Sequence, residues 1–162
     1  MIATETRPVL QGARLTTFEL MNDGIPVTLI ADTMVGFIMQ KKMITKVIVG
    51  ADRVTKQGHT FNKIGTYQIA VLAKMHRIPF FIAAPTSTLD LKSGPEDVII
   101  EERNFEEITK LNGKRIAPKG VRVINPAFDM TPPEFISGLI TERGVLFPPF
   151  HESISNIFSK TN

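Results

Sequence analysis

Four polar side chains gather around one short stretch of the chain, and a fifth lies upstream. An apolar run, Val47-Ile48-Val49, stops on Gly50-Ala51-Asp52-Arg53. A polar loop follows, and Asn62-Lys63 then leads into an apolar segment of helical period. A carboxyl at the end of an apolar strand suits proton transfer, because desolvation by Ile48, Val49 and Ala51 favours its protonated form near neutral pH. A lysine beside a helix start suits a phosphate, since helix N-termini offer unpaired N–H groups and the positive dipole end. A nearby Lys63 would oppose the upward shift of Asp52. The upstream stretch "TETRPVLQG" adds Glu5, Thr6, Arg7 and Gln11, with Gly12 permitting close backbone approach. A third polar group, Pro85 to Thr88, follows another apolar run. Each residue also has a purely structural use. Asp52 can pair with Arg53 or cap a turn, Asn62 can be an N-cap, and Lys63 and Gln11 can be solvated. Arg7 is better suited to stabilising a loop than to gripping a ligand.

The elements that would position these residues alternate between strand and helix. Strands are expected at Met1–Thr4, Pro26–Ala31, Lys46–Gly50, Pro79–Ala83, Val98–Ile100 and Val121–Ile124. Helical spacing is expected in "LQGARLTTFELMND", in "DTMVGFIMQKK" with Asp32 as its N-cap, and most strongly in "KIGTYQIAVLAKMHR". The strands read as continuous apolar runs, as parallel strands covered on both faces do. Alternating β and α elements imply an α/β fold with an open, doubly wound, mainly parallel sheet and helices on both faces. Ligands of such sheets bind at the carboxyl ends of the strands, where the three polar groups fall.

Composition narrows the function classes. The 162 residues fit one domain, with 43% hydrophobic and 22% charged residues. The net charge of +3 is read as spread along the chain, with no basic stripe interleaved with aromatics, which argues against a dedicated nucleic-acid surface. There is no Cys, hence no disulfide and no thiol nucleophile. No apolar run approaches the roughly 20 residues of a membrane span, and "MIATETRPV" carries no signal-peptide core, so a cytoplasmic setting is expected. His59, His76 and His151 lack metal-ligand spacing, and no metal site is expected. "VGADRVTKQG" matches neither a dinucleotide fingerprint nor a Walker A loop, so no nucleotide cofactor is expected. The chain opens inside a strand, which suggests one domain of something longer, and the polar segment from His151 is expected to fray.

The ordered set "ETRPVLQGARLT", "VGADRV…G…NKIGTYQIAVLAK", "IPFFIAAPTSTLD", "IIEER" and "NPAFDMTP" resembles the C-terminal half of the methylthioribose-1-phosphate isomerases, over residues 2 to about 147. The wider superfamily takes in ribose-1,5-bisphosphate isomerases and the alpha, beta and delta regulatory subunits of the translation-initiation guanine-nucleotide exchange factor. "GADR" with "NPAFDMTP" favours the methylthioribose branch. The resemblance implies a Rossmann-like domain over residues 1–150 followed by a tail, 151–162. It implies Asp52 as the active-site acid/base, and Gln11, Asn62 and Lys63 as holders of the sugar phosphate. The implied reaction is aldose–ketose isomerisation of 5-methylthioribose 1-phosphate in methionine salvage, and the implied assembly is a homodimer. Phe18, Met34, Phe37 and Met39 are the apolar helix positions available for that contact. Two departures stand out. The family's catalytic Cys lies upstream of "ATETRP", and its N-terminal helical domain carries further substrate-binding arginines; neither occurs in this sequence. The chain is therefore expected to be inactive alone. A non-catalytic regulatory module like the exchange-factor subunits is the alternative.

Overall fold

The computed structural model describes residues 1–159. Strand β1 (Ile2–Thr4) leads through a π-helical turn (Gly12–Thr16) into α1 (Thr17–Asn22) and β2 (Thr28–Ile30). A 3-10 turn (Asp32–Met34) precedes α2 (Val35–Gln40) and β3 (Val47–Val49). Then come β4 (Arg53–Thr55), β5 (Thr60–Lys63), α3 (Thr66–Met75), β6 (Phe80–Ala83) and β7 (Leu89–Asp90). The remainder is α4 (Glu106–Thr109), β8 (Lys110–Leu111), β9 (Lys114–Arg115), β10 (Phe128–Thr131), β11 (Gly138–Thr141), β12 (Gly144–Leu146) and α5 (Phe150–Ser159).

The fold is mixed α/β, but its strands fall into several sheets rather than one. β3, β6 and β11 are parallel, with Val47 opposite Phe80 and Gly138 opposite Phe81, and β12 adds to β11 as a hairpin. β1 and β2 form a separate parallel pair. A second four-stranded sheet runs β10-β5-β4-β7, and β8 and β9 make a small hairpin.

The core forms where α2, α3 and α5 meet the β3–β6–β11–β12 sheet. It contains Val35, Met39, Ala70, Phe80, Ile82 and Leu139 among others. Helix α3 lies close against its neighbours because its inward positions, Thr66, Ala70 and Ala73, are small and recur at helical spacing. Coverage is one-sided on the outer strands. Ile48 of β3 is 56% exposed and Leu29 of β2 is 49% exposed, while Val47, Val49 and Ile30 pack against the core. Alternate strand residues point to opposite faces, so an all-apolar run does not by itself mean two covered faces.

Four expectations are corrected. Val98–Ile100 and Val121–Ile124 form no strand; Ile99 is 94% and Ile124 84% exposed, and the segments lack a ladder partner. The expected polar loop over 53–61 is instead the β4–β5 hairpin, whose inward Val54, Thr55, Thr60 and Phe61 are buried. The segment from His151 belongs to α5, which buries Phe150 and Ile154; residues 160–162 of the expected tail lie outside the described residues. Met39 is buried in the core at 1% exposure and is unavailable to an outer contact.

Candidate functional site

The chain leaves β3 at Val49 and reaches β4 through Gly50-Ala51-Asp52. The Asp52 amide donates to the Phe61 carbonyl (2.9 Å), which extends the β4–β5 ladder by one rung and holds Asp52 beside the strand that carries Asn62 and Lys63. Asp52 is open to solvent on one side, yet partial burial pushes its carboxyl above the ordinary value of 3.8, and the Lys63 ammonium pulls it back. The next residue behaves differently. Arg53 reaches Asp90 of β7 at 3.3 Å, as a surface ion pair. Asp90 is held below its usual range, chiefly by the Lys92 and Ser93 amides. The adjacent carboxylate and guanidinium therefore serve different partners.

Asn62 and Lys63 lie in β5, antiparallel to β10, with Asp129 opposite Asn62 and Phe128 opposite Lys63. The Lys63 ammonium sits 4.9 Å from the centre of the Phe128 ring, a cation–π contact. Asn62 does not cap α3, as its sequence position suggested. The residue before the helix is Gly65, at φ +100°, a conformation that glycine adopts without a Cβ penalty. The Asn62 side-chain amide instead donates to the Thr66 hydroxyl (2.9 Å), which donates to the Lys63 carbonyl (2.7 Å). The cap comes from across the sheet. Asp129 accepts the Gly65 amide (2.7 Å) on Oδ2 and the Tyr67 amide (3.0 Å) on Oδ1. Burial pushes the Asp129 carboxyl up, and these amide bonds oppose the rise. Two of the N–H groups expected to be open to a phosphate are thus already occupied.

The upstream residues form a second wall. Gly12 is needed there: a Cβ on it would stand 1.8 Å from the Thr4 carbonyl oxygen. Gln11 precedes it, with Oε1 buried and without a hydrogen-bond partner in the structure. Buried unpaired acceptors are uncommon and costly, and a water or a bound ligand can satisfy them. Asp32, expected to cap its own helix, accepts the Thr6 (2.9 Å) and Arg7 (2.7 Å) amides instead. Arg7 acts as a loop tie, donating to the carbonyls of Glu107 and Ile108, each at 3.3 Å. Glu107, held down mainly by Arg103, also feels the charge of Lys63. The third polar group is tied off: Thr86 donates its amide to Glu142 (2.9 Å), and its hydroxyl bonds the same carboxylate.

The structure brings Asp52, Asn62 and Lys63 together on one hairpin, with Gln11 on the separate upstream wall. Asp129 and Glu107 were missed by sequence reasoning. A lone acid after "NPAF" was the available signal for Asp129, but its target becomes visible only with the β5–β10 register. Two surface cavities lie elsewhere: one of about 470 Å³ beside Met39 and His76, the other of about 740 Å³ beside Phe105 and Arg122. Neither is lined by Asp52, Asn62, Lys63 or Gln11. Among the described residues, no cluster of three or more His, Cys, Asp or Glu could hold a metal ion, and no helix is long and apolar enough to cross a membrane.

Comparison with known proteins gives consistent matches. The model of the initiation factor 2 subunit family matches residues 1–148. A methylthioribose-1-phosphate isomerase of Carboxydothermus hydrogenoformans is 55% identical over 159 residues, covering 98% of this chain and 46% of that protein. Another so named, of Thermosipho africanus, is 57% identical over 162 residues, covering 99% of this chain and 46% of that protein. Two solved structures superpose closely. One is described as translation initiation factor eIF-2B, subunit delta, from A. fulgidus, with a TM-score of 0.95, 54% identity, and coverage of 98% of this chain and 46% of that one. The other is 5-methylthioribose 1-phosphate isomerase from Pyrococcus horikoshii OT3, with a TM-score of 0.94, 51% identity, and coverage of 99% and 45%. The chain spans a little under half the length of these relatives.

Proposed function

The chain belongs to the initiation factor 2 subunit family, and from that premise we propose that it is an isomerase domain acting on 5-methylthioribose 1-phosphate, in methionine salvage and in a cytoplasmic setting. The product is the ketose 5-methylthioribulose 1-phosphate. The observation that carries this reading is the placement of Asp52 beside strand β5, where the Asp52 amide bonds Phe61, next to Asn62 and Lys63; burial raises the Asp52 carboxyl and the Lys63 charge opposes the rise. The substrate's anomeric oxygen is phosphorylated, so its ring cannot open unaided. An acid must assist the opening, and a hydrogen must then pass from C2 to C1. Asp52 is the acid/base in this scheme, because burial raises its carboxyl above the ordinary value and so favours the protonated form that can donate to the ring oxygen. Lys63 and Asn62 hold the phosphate from one wall. Gln11 faces the sugar from the other, where a substrate hydroxyl would satisfy its unpartnered oxygen.

The parallel β1–β2 pair and the parallel β3–β6–β11 strands are read as parts of one Rossmann-like, doubly wound arrangement; Ile30, Val47 and Val49 packing on the same core supports this. A homodimer is part of the same proposal, through outward Phe18, Met34 and Phe37. The similarity to the structure described as an eIF-2B delta subunit favours a second reading, a regulatory module that keeps the fold without catalysis.

The test is turnover. The 162-residue chain alone should isomerise no methylthioribose 1-phosphate, because the wall opposite Asp52 comes, by resemblance, from a Cys-bearing segment. Mixed with the N-terminal half of the Carboxydothermus relative, it should gain activity that Asp52→Asn abolishes. Recovery that survives Asp52→Asn would remove Asp52 from the mechanism. Failure to recover activity, with the substrate still unbound at millimolar concentration, would favour the regulatory reading.

A further inference from the structure

We infer that Asp129 is a positioning residue for Lys63, setting the turn from which its ammonium reaches a bound phosphate. The inference rests on the reading of Lys63 as the phosphate contact. Helix α3 has no cap of its own: Gly65 has no side chain, and no local side chain bonds the first amides. That role falls to a carboxylate on β10, more than sixty residues downstream, which grips the backbone on both sides of Thr66. Thr66 in turn holds the Asn62 amide and the Lys63 carbonyl through its hydroxyl. The neighbouring Phe128 carries the Lys63 ammonium on its ring. Strand β10 thus constrains residues 62 to 67 at four points: two amide bonds, one ring contact, and the ladder register that places Asp129 against Asn62.

The carboxylate also fills the helix N-terminus with negative charge. A phosphate dianion pressed against those amides would meet a like charge at close range. The contact is therefore left to side chains, and their aim matters. Asp129→Asn is nearly isosteric, but it leaves one acceptor oxygen where two amides need one each, so half of the grip is lost.

The experiment titrates 5-methylthioribose 1-phosphate into the full chain by calorimetry, using wild type, Asp129→Asn, Lys63→Ala and the double variant. Asp129→Asn should weaken binding about tenfold, the scale of one charge-assisted contact. The double variant should bind no more weakly than Lys63→Ala alone, because two changes acting through one contact are not additive. Asp129→Glu, which keeps both oxygens, should recover part of the loss and serves if the Asn variant does not fold. A cap that only stabilises the helix would lower the unfolding midpoint and leave affinity unchanged, which would overturn the inference. So would tighter binding by Asp129→Asn, which would mean that the carboxylate competes with the anion. Absence of binding by wild type would overturn the reading of Lys63 itself, and the inference with it.

Discussion

Truncating Phe150 to alanine tests whether the last helix supports the site. Phe150 opens α5 and is 3% exposed, within the core beside Ile154. Its ring and Cβ press on Gly58, in the turn of the β4–β5 hairpin: a Cβ built on Gly58 would stand 2.6 Å from Phe150 Cδ2 and 2.8 Å from its Cβ. Removing the ring deletes core burial and the floor of that turn. Buried Phe→Ala changes cost about 3–5 kcal/mol. With a urea slope of about 2 kcal/mol per M, the midpoint should fall by about 1.5–2.5 M. Equilibrium urea denaturation at pH 7 and 25 °C, followed by circular dichroism, gives that midpoint directly. Amide hydrogen exchange should show faster opening at Asp52 and Thr55, whose N–H groups bond across the hairpin. A midpoint shift below about 0.25 M, with unchanged exchange, would refute the argument. It would match the near-neutral effect of a surface change, within about 0.5 kcal/mol, and return α5 to the status of a frayed tail.

Three further outcomes follow from the site and surface. Asp52 is pushed up by burial, so the folded state favours its protonated form; ionisation costs stability once the pH rises through the folded value, whereas below the ordinary 3.8 no such cost exists. Asp52→Asn should therefore raise the urea midpoint at pH 7 and leave it unchanged near pH 3, and a lower midpoint at pH 7 would contradict the burial argument. Lys63→Ala should move the Asp52 titration further up, followed by carboxyl NMR, and weaken phosphate-ester binding about tenfold or more; an unmoved titration would separate the two residues. Phe18→Glu and Phe37→Glu, on outward faces at 64% and 57% exposure, should shift a sedimenting dimer to monomer; a wild-type monomer at micromolar concentration would dismiss that interface.

Much of the parallel framework was readable because its signals are local. β1, β2, β3 and β6 lie within apolar runs bounded by polar or Gly/Pro residues, and α3 within a helical period. The place of Asp52 just past β3 was readable for the same reason, since it follows an apolar run; its role remains a proposal. The second sheet was not. "RVTKQGHTF" is short and mostly polar, and only pairing with β10 and β7 turns it into buried ladder. Val98–Ile100 fails in the opposite sense: its β-branched residues have strand propensity but no neighbour to pair with, and propensity yields to context. Asp129 and Asp32 show the same limit for polar groups. Each carboxylate serves backbone amides at least 25 residues away, so Asp32 looks like the cap of its own helix, and Asp129, on strand β10, like no cap at all.

Arg7 has a consequence for the order in which the molecule assembles. Its guanidinium bonds carbonyls 100 and 101 residues further along the chain. On a ribosome adding 5–20 residues per second, those carbonyls follow Arg7 by roughly 5–20 s. Closing a loop of that length carries an entropic cost of about 4 kcal/mol. The stretch that carries Gln11 is thus made about 100 residues before its last tie can form, and a nascent chain halted before residue 107 would lack that tie.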